Sequence, residues 1–308
     1  MNPRSPVRTV FMGSPEFALP TLQALTQALP VVGVITQPDR PAGRGRVLTP
    51  PPVKLLAQSL GLPVIQPERM REPAAMEQLL AWTPDLIVVA AFGQILRPTV
   101  LDLPDYGCIN VHASLLPRWR GAAPIQAAIL AGDECTGVTI MRMDPGIDTG
   151  PILNQQSLSI QPDDTTFSLS ERLAILGAQL LMETLPSYLQ GELQPQPQPD
   201  TGTTYATILK KEEGLLDFTL HASDLDRRVR AFYPWPGAFT VWNDQWLKIL
   251  RAHAVDTDTN NPGKQKVYQN LPAISTNKGL LVLDEVQPAG KKAMPGSVFL
   301  QGAHGWGK

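Results

Sequence analysis

Short apolar runs alternate with helical repeats through the first 190 residues of the chain. Residues 9–12, 31–36 and 86–91 are mostly apolar runs of strand length, which is typical of strands buried on both faces of a parallel sheet. Between the first two runs, Leu22 and Leu25 are spaced to form the buried stripe of a helix. A strand, a helix and a second strand in this order predict a βαβ unit. The N-terminal fold is therefore predicted to be α/β, with a doubly wound, mainly parallel, Rossmann-like sheet.

The first helix is predicted to begin at Ser14, which can cap it, with Pro15 at the first helical position and an acid in the first turn. Pro20 would then lie inside the helix, where a proline produces a kink. A dinucleotide-binding fold is the obvious alternative for such a unit. Gly13 is a single glycine where the fingerprint of that fold needs several, so the pattern argues against NAD binding.

A long amphipathic helix and a polar segment end the N-terminal part. Residues 163–166 are predicted to cap the helix, whose leucines recur at helical spacing. Residues 191–204, GELQPQPQPDTGTT, have the polar, proline-rich composition of an exposed linker. We therefore predict a catalytic domain over residues 1–190, a linker over 191–206 and a C-terminal domain over 207–308.

The C-terminal domain shows a different pattern. Short apolar alternations are separated by polar turns that contain Gly or Pro, which favours a small OB-like β-barrel over another layer of βαβ units. Residues 224–230, DLDRRVR, predict a short helix with Leu225 and Val229 turned inward. The alternations are residues 239–242, 246–250, 273–276 and 280–283.

The charge of the chain is unevenly distributed. The 308 residues carry a net charge of −2, whereas residues 205–308 contain 13 Lys and Arg against 10 Asp and Glu. This mild positive charge permits an anionic partner without demanding one. The same basic residues could equally form a solvated surface.

The two cysteines, Cys108 and Cys135, are too few for a disulfide scaffold and lack the spacing of a zinc site. Reduced thiols and a cytoplasmic location are therefore expected. No long apolar run precedes Glu16, so we expect neither a signal peptide nor a membrane span.

Three polar residues between Gly107 and Gly150 form a candidate active site. Asn110 and His112 stand two residues apart in a short β-like run, so a strand there would direct both side chains to one face. Asp148 follows in DPGIDTG, a loop by its Gly and Pro content. Loops after the strands of a parallel sheet are where such folds hold their ligands.

An amide, an imidazole and a carboxylate suit a reaction in which a carbonyl carbon becomes tetrahedral. Asn110 can donate to the developing oxyanion, His112 can donate or move a proton near neutral pH, and Asp148 can orient the histidine or a water and take a proton. Ser114 is not part of a GxSxG elbow. The simplest chemistry is acyl transfer to a nucleophile supplied by the substrate, although an Asn-x-His pair is more often structural than catalytic.

An arginine-rich loop is predicted between Gln37 and Pro52, QPDRPAGRGRVLTPPP. It is longer than the ordinary connection between a strand and a helix, and its prolines and glycines exclude a core element. Arg40, Arg44 and Arg46 could present guanidinium groups to phosphates or base edges. A solvated surface loop is the alternative.

The sequence that follows Asn110 and His112, SLLPRWRGAAPI and then TGVTIMRMDPGIDTG, resembles the family of formyltransferases that use 10-formyltetrahydrofolate. Further matches extend the resemblance over nearly the whole chain. They are TQPDRPAGRG at residues 36–45, KKEEG at 210–214, RAFYPWPGAF at 230–239 and QPAGKKAM at 287–294.

The resemblance implies roles for several residues. Asn110, His112 and Asp148 would be catalytic, and folate would be a cosubstrate, with no metal required. The segment that lines the folate site in the family corresponds to Ser114, Leu115, Leu116 and Pro117. An apolar pterin pocket could also be walled by residues 92–96, which could instead be core.

The motifs most resemble those of the branch of the family whose acceptor is methionine on initiator tRNA. In that branch a basic loop enters the acceptor stem, and Arg44 within PAGRG matches its principal arginine, flanked by Arg40 and Arg46. Lys210 and Lys211 would contact the same tRNA, and we expect a monomer. The end of the chain, SVFLQGAHGWGK, lacks the longer basic tail expected of the family.

Related enzymes with the same catalytic trio could use another acceptor of the formyl group: a glycinamide ribonucleotide, an amino-sugar nucleotide, or water in a hydrolase. The arginine-rich loop and the basic barrel favour tRNA, because small acceptors give no reason for them. A non-catalytic tRNA- or folate-binding protein is a further alternative, against which the intact Asn110, His112 and Asp148 argue.

Overall fold

The apolar runs near the start of the chain form the middle of a mainly parallel sheet. The computed structural model describes residues 6–43, 45 and 47–307. Their contacts divide the chain into two compact units. The first comprises residues up to 124 together with 135–159 and 170–206, and the second comprises 125–134, 160–169 and the residues from 207 onward.

The strands of the first unit alternate with helices, as the βαβ pattern predicts. Its strands are β1 Thr9–Gly13, β2 Val31–Ile35, β3 Arg40–Ala42, β4 Val47–Thr49, β5 Val64–Ile65, β6 Leu86–Ala90, β7 Cys108–His112, β8 Arg120–Gly121, β9 Cys135–Arg142, β10 Ile152–Ser159 and β11 Tyr205–Ala206. The helices of the chain are α1 Leu19–Ala28, α2 Pro52–Ser59, α3 Pro73–Ala81, α4 Pro98–Leu101, α5 Pro124–Ala131, α6 Thr166–Leu189, α7 Ala222–Ala231 and α8 Gly296–Gly302.

Seven strands form the main sheet in the order β10-β9-β7-β6-β1-β2-β5. Strands β5, β2, β1, β6 and β7 are parallel to one another, whereas β9 pairs antiparallel with β7 and β10 pairs antiparallel with β9 at one edge. Every residue of β1, β6 and β7 is buried, which explains why β1 and β6 are nearly continuous apolar runs. The predicted doubly wound, mainly parallel sheet is confirmed.

The first helix begins later than predicted. Residues Glu16–Ala18 form one 3₁₀ turn, and α1 starts at Leu19. Ser14 does not cap a helix, because its hydroxyl instead accepts hydrogen bonds from the backbone N–H of Gln37, at 3.1 Å, and from the Thr36 hydroxyl. Pro20 falls in the first turn of α1, where the missing N–H has no partner to lose, so the predicted kink was wrong.

The arginine-rich loop contains a short antiparallel hairpin formed by β3 and β4. Its base is held by Asp39, whose carboxylate accepts hydrogen bonds from the Lys54 ammonium at 2.7 and 2.9 Å and from the Gln66 amide at 2.7 Å. Hydrogen bonds from Gln66 and Lys54 hold the pKa of Asp39 below its usual value, so the carboxylate is charged at neutral pH. Arg44 and Arg46 lie outside the described residues.

The second unit is built on antiparallel strands. Strands β12 Ala238–Trp242, β13 Gln245–Val255, β14 Gln265–Tyr268, β15 Leu271–Ser275, β16 Leu280–Pro288 and β17 Met294–Pro295 form a sheet of order β12-β13-β16-β15-β14, with β17 paired to β16. The antiparallel β domain expected for the C-terminal part is confirmed. Leu225 and Val229 of α7 are buried in its core, as predicted.

The end of the chain belongs to the core of this unit. Helix α8 places Phe299 against Trp306, with ring centroids 5.4 Å apart, and Trp242 packs on both. The Trp306 indole N–H donates to the Lys266 carbonyl at 2.8 Å. These C-terminal residues therefore stabilise the β domain through aromatic packing.

The polar segment of residues 191–206 is mostly exposed, yet it is bonded to the first unit. Gln196 pairs with Ile152 through two backbone hydrogen bonds of 2.7 and 2.8 Å. Tyr205 and Ala206 form β11, which pairs in parallel with β8. The predicted linker boundaries stay a prediction. Among the described helices, none combines the length and apolar character that crossing a membrane requires.

Candidate active site

Strand β7 fixes the positions of Asn110 and His112. It lies between β6 and β9, with Met141 opposite Asn110 and Thr139 opposite His112. The two residues are only 8% and 6% exposed. No described residue shares a hydrogen bond with the Asn110 side chain. An amide held by a buried strand and left with open hydrogen-bonding capacity is suited to donate to a bound oxygen.

The His112 ring is oriented by two groups. Its Nε2 lies 3.1 Å from the carbonyl oxygen of Trp119, and because a carbonyl only accepts, Nε2 must donate its hydrogen there. Its Nδ1 lies 3.6 Å from Oδ2 of Asp148. That distance allows charge attraction but is longer than a hydrogen bond. Nδ1 is therefore the ring nitrogen left to exchange a proton.

Asp148 is brought to His112 by a turn in the loop after β9. Its backbone has a positive φ of 52°, an uncommon conformation for a residue with a side chain, and one often found at functional sites. Its Oδ2 accepts a hydrogen bond of 2.8 Å from the backbone N–H of Gly121. The three residues singled out in the sequence, Asn110, His112 and Asp148, are thus brought to one place.

Gly121 is required by a close approach of two backbones. Its φ is 120°, and a Cβ atom at this position would lie 2.4 Å from the carbonyl oxygen of Ala206. Only glycine fits both conditions. Its N–H is thereby free to point at the Asp148 carboxylate.

Trp119 also has a positive φ, of 62°. The Arg118 guanidinium lies over its ring, 4.2 Å from the centroid, and its backbone N–H donates to the Thr204 hydroxyl at 2.9 Å. These contacts hold the peptide whose carbonyl receives the His112 hydrogen. The role of the Trp119 carbonyl could not be predicted, since a backbone group leaves no mark in the sequence.

Gln198 is a site residue that the sequence analysis missed. Its side-chain amide donates to the carbonyl oxygens of Asp148 and Gly150, at 2.7 and 2.8 Å, and its Oε1 accepts from the Arg120 guanidinium at 2.6 and 3.0 Å. Gln198 and Arg120 border a cavity of about 410 Å³ that Thr203 also lines. Gln198 stands in a repeat of Gln and Pro whose composition carries no chemical signal.

The segment expected to line the folate site is tied to the protein through its polar groups. Ser114 is fully buried, and its hydroxyl donates to the Arg118 carbonyl at 2.6 Å. The Leu116 N–H donates to the Thr139 hydroxyl, and Leu116 is 3% exposed. Leu115 and Pro117 are half-buried. The Ser114 hydroxyl is therefore engaged within the loop.

A second cavity, of about 470 Å³, lies after β6 in the first unit. Gln94 and Ile95, from the stretch expected to wall a pterin pocket, contribute to its lining, and Ile95 is 78% exposed. Three arginines complete a positively charged wall: Arg69, Arg71 and Arg97. A ligand with an apolar body and negative charges suits such a lining.

Cys108 begins β7 but is not a candidate nucleophile. Burial raises the pKa of its thiol to about 12, so the thiolate is scarcely populated at neutral pH. Both Cys108 and Cys135 are free thiols.

The basic residues proposed for nucleic acid differ in their surroundings. In the first unit, the Arg40 guanidinium is paired with Glu68 at 2.5 Å, and both side chains are 61% exposed. Such exposed pairs contribute little stability and are easily exchanged for another anion. In the second unit, Lys210 and Lys211 are exposed at the start of a 3₁₀ turn.

Comparison with known proteins assigns most of the chain to two family models. Residues 7–185 match the model described as formyl transferase, and residues 208–304 match the formyl transferase C-terminal domain. The methionyl-tRNA formyltransferase of Myxococcus xanthus is 51% identical over 298 residues, which are 96% of this chain and 95% of that relative. The enzyme of the same name from Halorhodospira halophila is 51% identical over 96% of both chains. The resemblance drawn from the motifs is confirmed.

Solved structures of low identity share the fold. An N-formyltransferase from Helicobacter canadensis, crystallised with folinic acid and dTDP-3-aminofucose, superposes with a TM-score of 0.67 at 17% identity, covering 92% of this chain and 99% of that one. Methionyl-tRNA formyltransferase from Clostridium thermocellum gives a TM-score of 0.57 at 14% identity, covering 92% and 98%.

Proposed function

The chain belongs to the formyl transferase family, and from this premise we propose that it transfers the formyl group of 10-formyltetrahydrofolate to the α-amino group of methionine on initiator tRNA. The product is N-formylmethionyl-tRNA for translation initiation. The observation that carries the proposal is the arrangement of Asn110, His112 and Asp148 at the end of β7, in a chain about half identical to enzymes of that name.

Asn110 stabilises the charge that develops on the formyl oxygen. The bound folate supplies an electrophilic formyl carbon, which the methionyl amine attacks. The Asn110 amide N–H donates to the oxygen as the carbon becomes tetrahedral. A donor already held by a buried strand needs no reorganisation at that moment, which is why such groups contribute strongly to catalysis.

His112 acts through Nδ1, because its Nε2 hydrogen is engaged by the Trp119 carbonyl. A protonated Nδ1 supports the negative charge on the oxygen and then gives a proton to the leaving folate nitrogen. The Asp148 carboxylate, 3.6 Å from Nδ1, orients the ring. Through a water, Asp148 also collects the proton lost by the amine.

Folate is proposed to bind between Ser114–Pro117 and the cavity after β6. The half-buried Leu115 and Pro117 and the exposed Ile95 offer apolar contacts for the pterin. Arginines of the cavity wall suit the carboxylates of the glutamate tail. No metal has a role in this mechanism.

The tRNA is proposed to be read by basic residues of both units. Arg44 enters the acceptor stem, flanked by Arg40 and Arg46, and Lys210 and Lys211 contact the phosphate backbone. A weak terminal base pair is cheap to open, which would allow an arginine to select the initiator tRNA. We further propose that the protein works as a monomer in the cytoplasm. The two free thiols are consistent with the reducing conditions of that compartment.

The proposal is tested by release of tetrahydrofolate from 10-formyltetrahydrofolate in three assays: with methionyl initiator tRNA, with methionyl elongator tRNA, and without tRNA. Rapid release with the initiator alone is expected. Equal release in all three would indicate a hydrolase. Release with an amino-sugar nucleotide, but not with tRNA, would identify a sugar formyltransferase.

Arg44→Ala tests the tRNA contact separately from the chemistry. It should weaken use of the charged initiator tRNA by about tenfold in kcat/KM, the scale of one lost specific arginine contact, and leave the slow hydrolysis of the folate unchanged. Arg172→Ala is a control, since its guanidinium donates to the Ser159 carbonyl and lies away from the loop in sequence. Equal loss of both activities in Arg44→Ala would contradict the assignment.

A further inference from the structure

The segment of residues 196–206 is bonded to both loops that carry the site. Thr204 receives the backbone N–H of Trp119 on its hydroxyl and the N–H of Arg120 on its carbonyl, both at 2.9 Å. The Ala206 carbonyl accepts the N–H of Ala122 at 2.9 Å. Gln198 then bonds to the loop that carries Asp148. One stretch of chain therefore links the Trp119 loop to the Asp148 loop.

Gln198 makes the connection with each polar atom of its side chain. Its Nε2 hydrogens go to the carbonyl oxygens of Asp148 and Gly150, two residues apart, and this spacing matches the two hydrogens of one amide. Its Oε1 takes a forked pair of hydrogens from Arg120, the residue before Gly121. Gly121 in turn donates to the Asp148 carboxylate, so the network closes on itself.

The target of these bonds is a residue in an uncommon conformation. Asp148 has a positive φ of 52° and sits in a Gly- and Pro-rich loop that has no regular structure of its own. Such a conformation persists only where surrounding contacts enforce it. The two carbonyls held by Gln198 belong to Asp148 itself and to Gly150, two residues before β10.

We propose that Gln198 is a positioning residue for the reaction: its amide clamps the Asp148 loop so that the carboxylate remains beside His112. This inference rests on the proposed role of Asp148. The clamp acts on the geometry of the reacting groups and leaves the binding of either substrate unchanged. Displacement of a catalytic group by about 1 Å is enough to slow a reaction severely.

The test compares kcat and KM for both substrates in Gln198→Ala, Gln198→Glu and Gln194→Ala. Loss of the clamp should lower kcat by about tenfold and leave both KM values within about twofold. Gln198→Glu should behave like Gln198→Ala, because its carboxylate still accepts from Arg120 but cannot donate to the two carbonyls. In the part of the chain that the structure describes, the side chain of Gln194, in the same Gln-Pro repeat, donates to the nearby Gly191 carbonyl alone, so Gln194→Ala should match the parent.

A double-mutant cycle separates positioning from a general structural effect. If Gln198 acts through Asp148, then Asp148→Ala combined with Gln198→Ala should be no slower than Asp148→Ala alone. A further tenfold loss in the double variant, or parental kcat in Gln198→Ala and Gln198→Glu, would overturn the clamp. Thermal unfolding of the Gln198 and Asp148 variants should still show a cooperative transition, at a midpoint below the parental one because hydrogen bonds are lost, and this verifies the fold. Parental activity in Asp148→Ala would instead overturn the proposed function of the site.

Discussion

Strand β7 and the segment of residues 191–206 both border the site, and they reach it by different physical routes. In β7, main-chain pairing with two neighbouring strands fixes every residue, and alternation alone places Asn110 and His112 on one face. The segment has only two short pairings, and it acts through side chains such as Gln198 and Thr204. The regular strand β7 thus holds the candidate catalytic side chains, whereas the irregular segment of residues 191–206 restrains the loops around them.

A second histidine shows that a charge pair alone does not make a site. His253 of β13 lies 3.0 Å from Asp284, closer than His112 lies to Asp148. The His253 side chain is 48% exposed, whereas that of His112 is 6% exposed. What distinguishes His112 is burial, a second partner for its other nitrogen and the nearby Asn110.

The largest effect is expected from removing the group that β7 presents. His112→Ala should lower kcat by about a hundredfold or more, the usual scale for a lost general acid or oxyanion donor. Formyl transfer to methionyl initiator tRNA measures it. His253→Ala removes the other histidine of an Asp pair and should retain kcat. Similar losses in the two variants would show that His112 has no special role.

A smaller loss of kcat is expected from Gly121→Ala, because Gly121 contacts the segment of residues 191–206 at Ala206. Gly121→Ala places a methyl group 2.4 Å from the Ala206 carbonyl at a φ of 120°, so the backbone must shift and its N–H leaves the Asp148 carboxylate. We expect kcat to fall by about thirtyfold, since the catalytic groups are displaced.

Gly202→Ala is the matched control for this change. Gly202 also has a positive φ, of 83°, but a methyl group there would meet open space. It should show a small loss of thermal stability and near-parental kcat. If Gly202→Ala were as slow as Gly121→Ala, backbone strain in general, rather than the contact at Ala206, would account for the effect.

The smallest effect on kcat is expected from removing one hydrogen-bond acceptor, the hydroxyl of Thr204 in the segment of residues 191–206. Thr204→Val keeps the side-chain shape but removes the hydroxyl that accepts from the half-buried Trp119 N–H, and the net loss of one such hydrogen bond is about 0.5–1.5 kcal/mol. The free energy of unfolding, measured with urea, should fall by this amount. The value of kcat should fall by about threefold, because the Trp119 carbonyl then orients the His112 ring less firmly. Thr201→Val, at an exposed position of the same segment, should change neither. An unchanged Thr204→Val protein would remove Thr204 from the network.

Much of the fold follows from local patterns. The buried strands β1 and β6 are apolar runs, the leucines of α6 repeat at helical spacing, and the alternations after residue 207 form antiparallel strands. These predictions succeeded because burial on both faces gives a continuous apolar run, burial of one helical stripe gives a period of 3.6, and burial of one strand face gives a period of two. The start of α1 was misplaced, because the Ser14 hydroxyl bonds to residues more than twenty positions away rather than to the following turn.

The sequence by itself determined which three residues are proposed as catalytic, since the spacing of Asn110 and His112 is local to one strand and Asp148 belongs to a recognisable motif. Only the tertiary structure decided how the trio is held. The Trp119 carbonyl, the Gly121 N–H and the Gln198 amide act across separations of 7, 27 and 50 residues. Hydrogen bonds over such distances depend on which loops packing brings together, and neither a periodicity nor a composition records that.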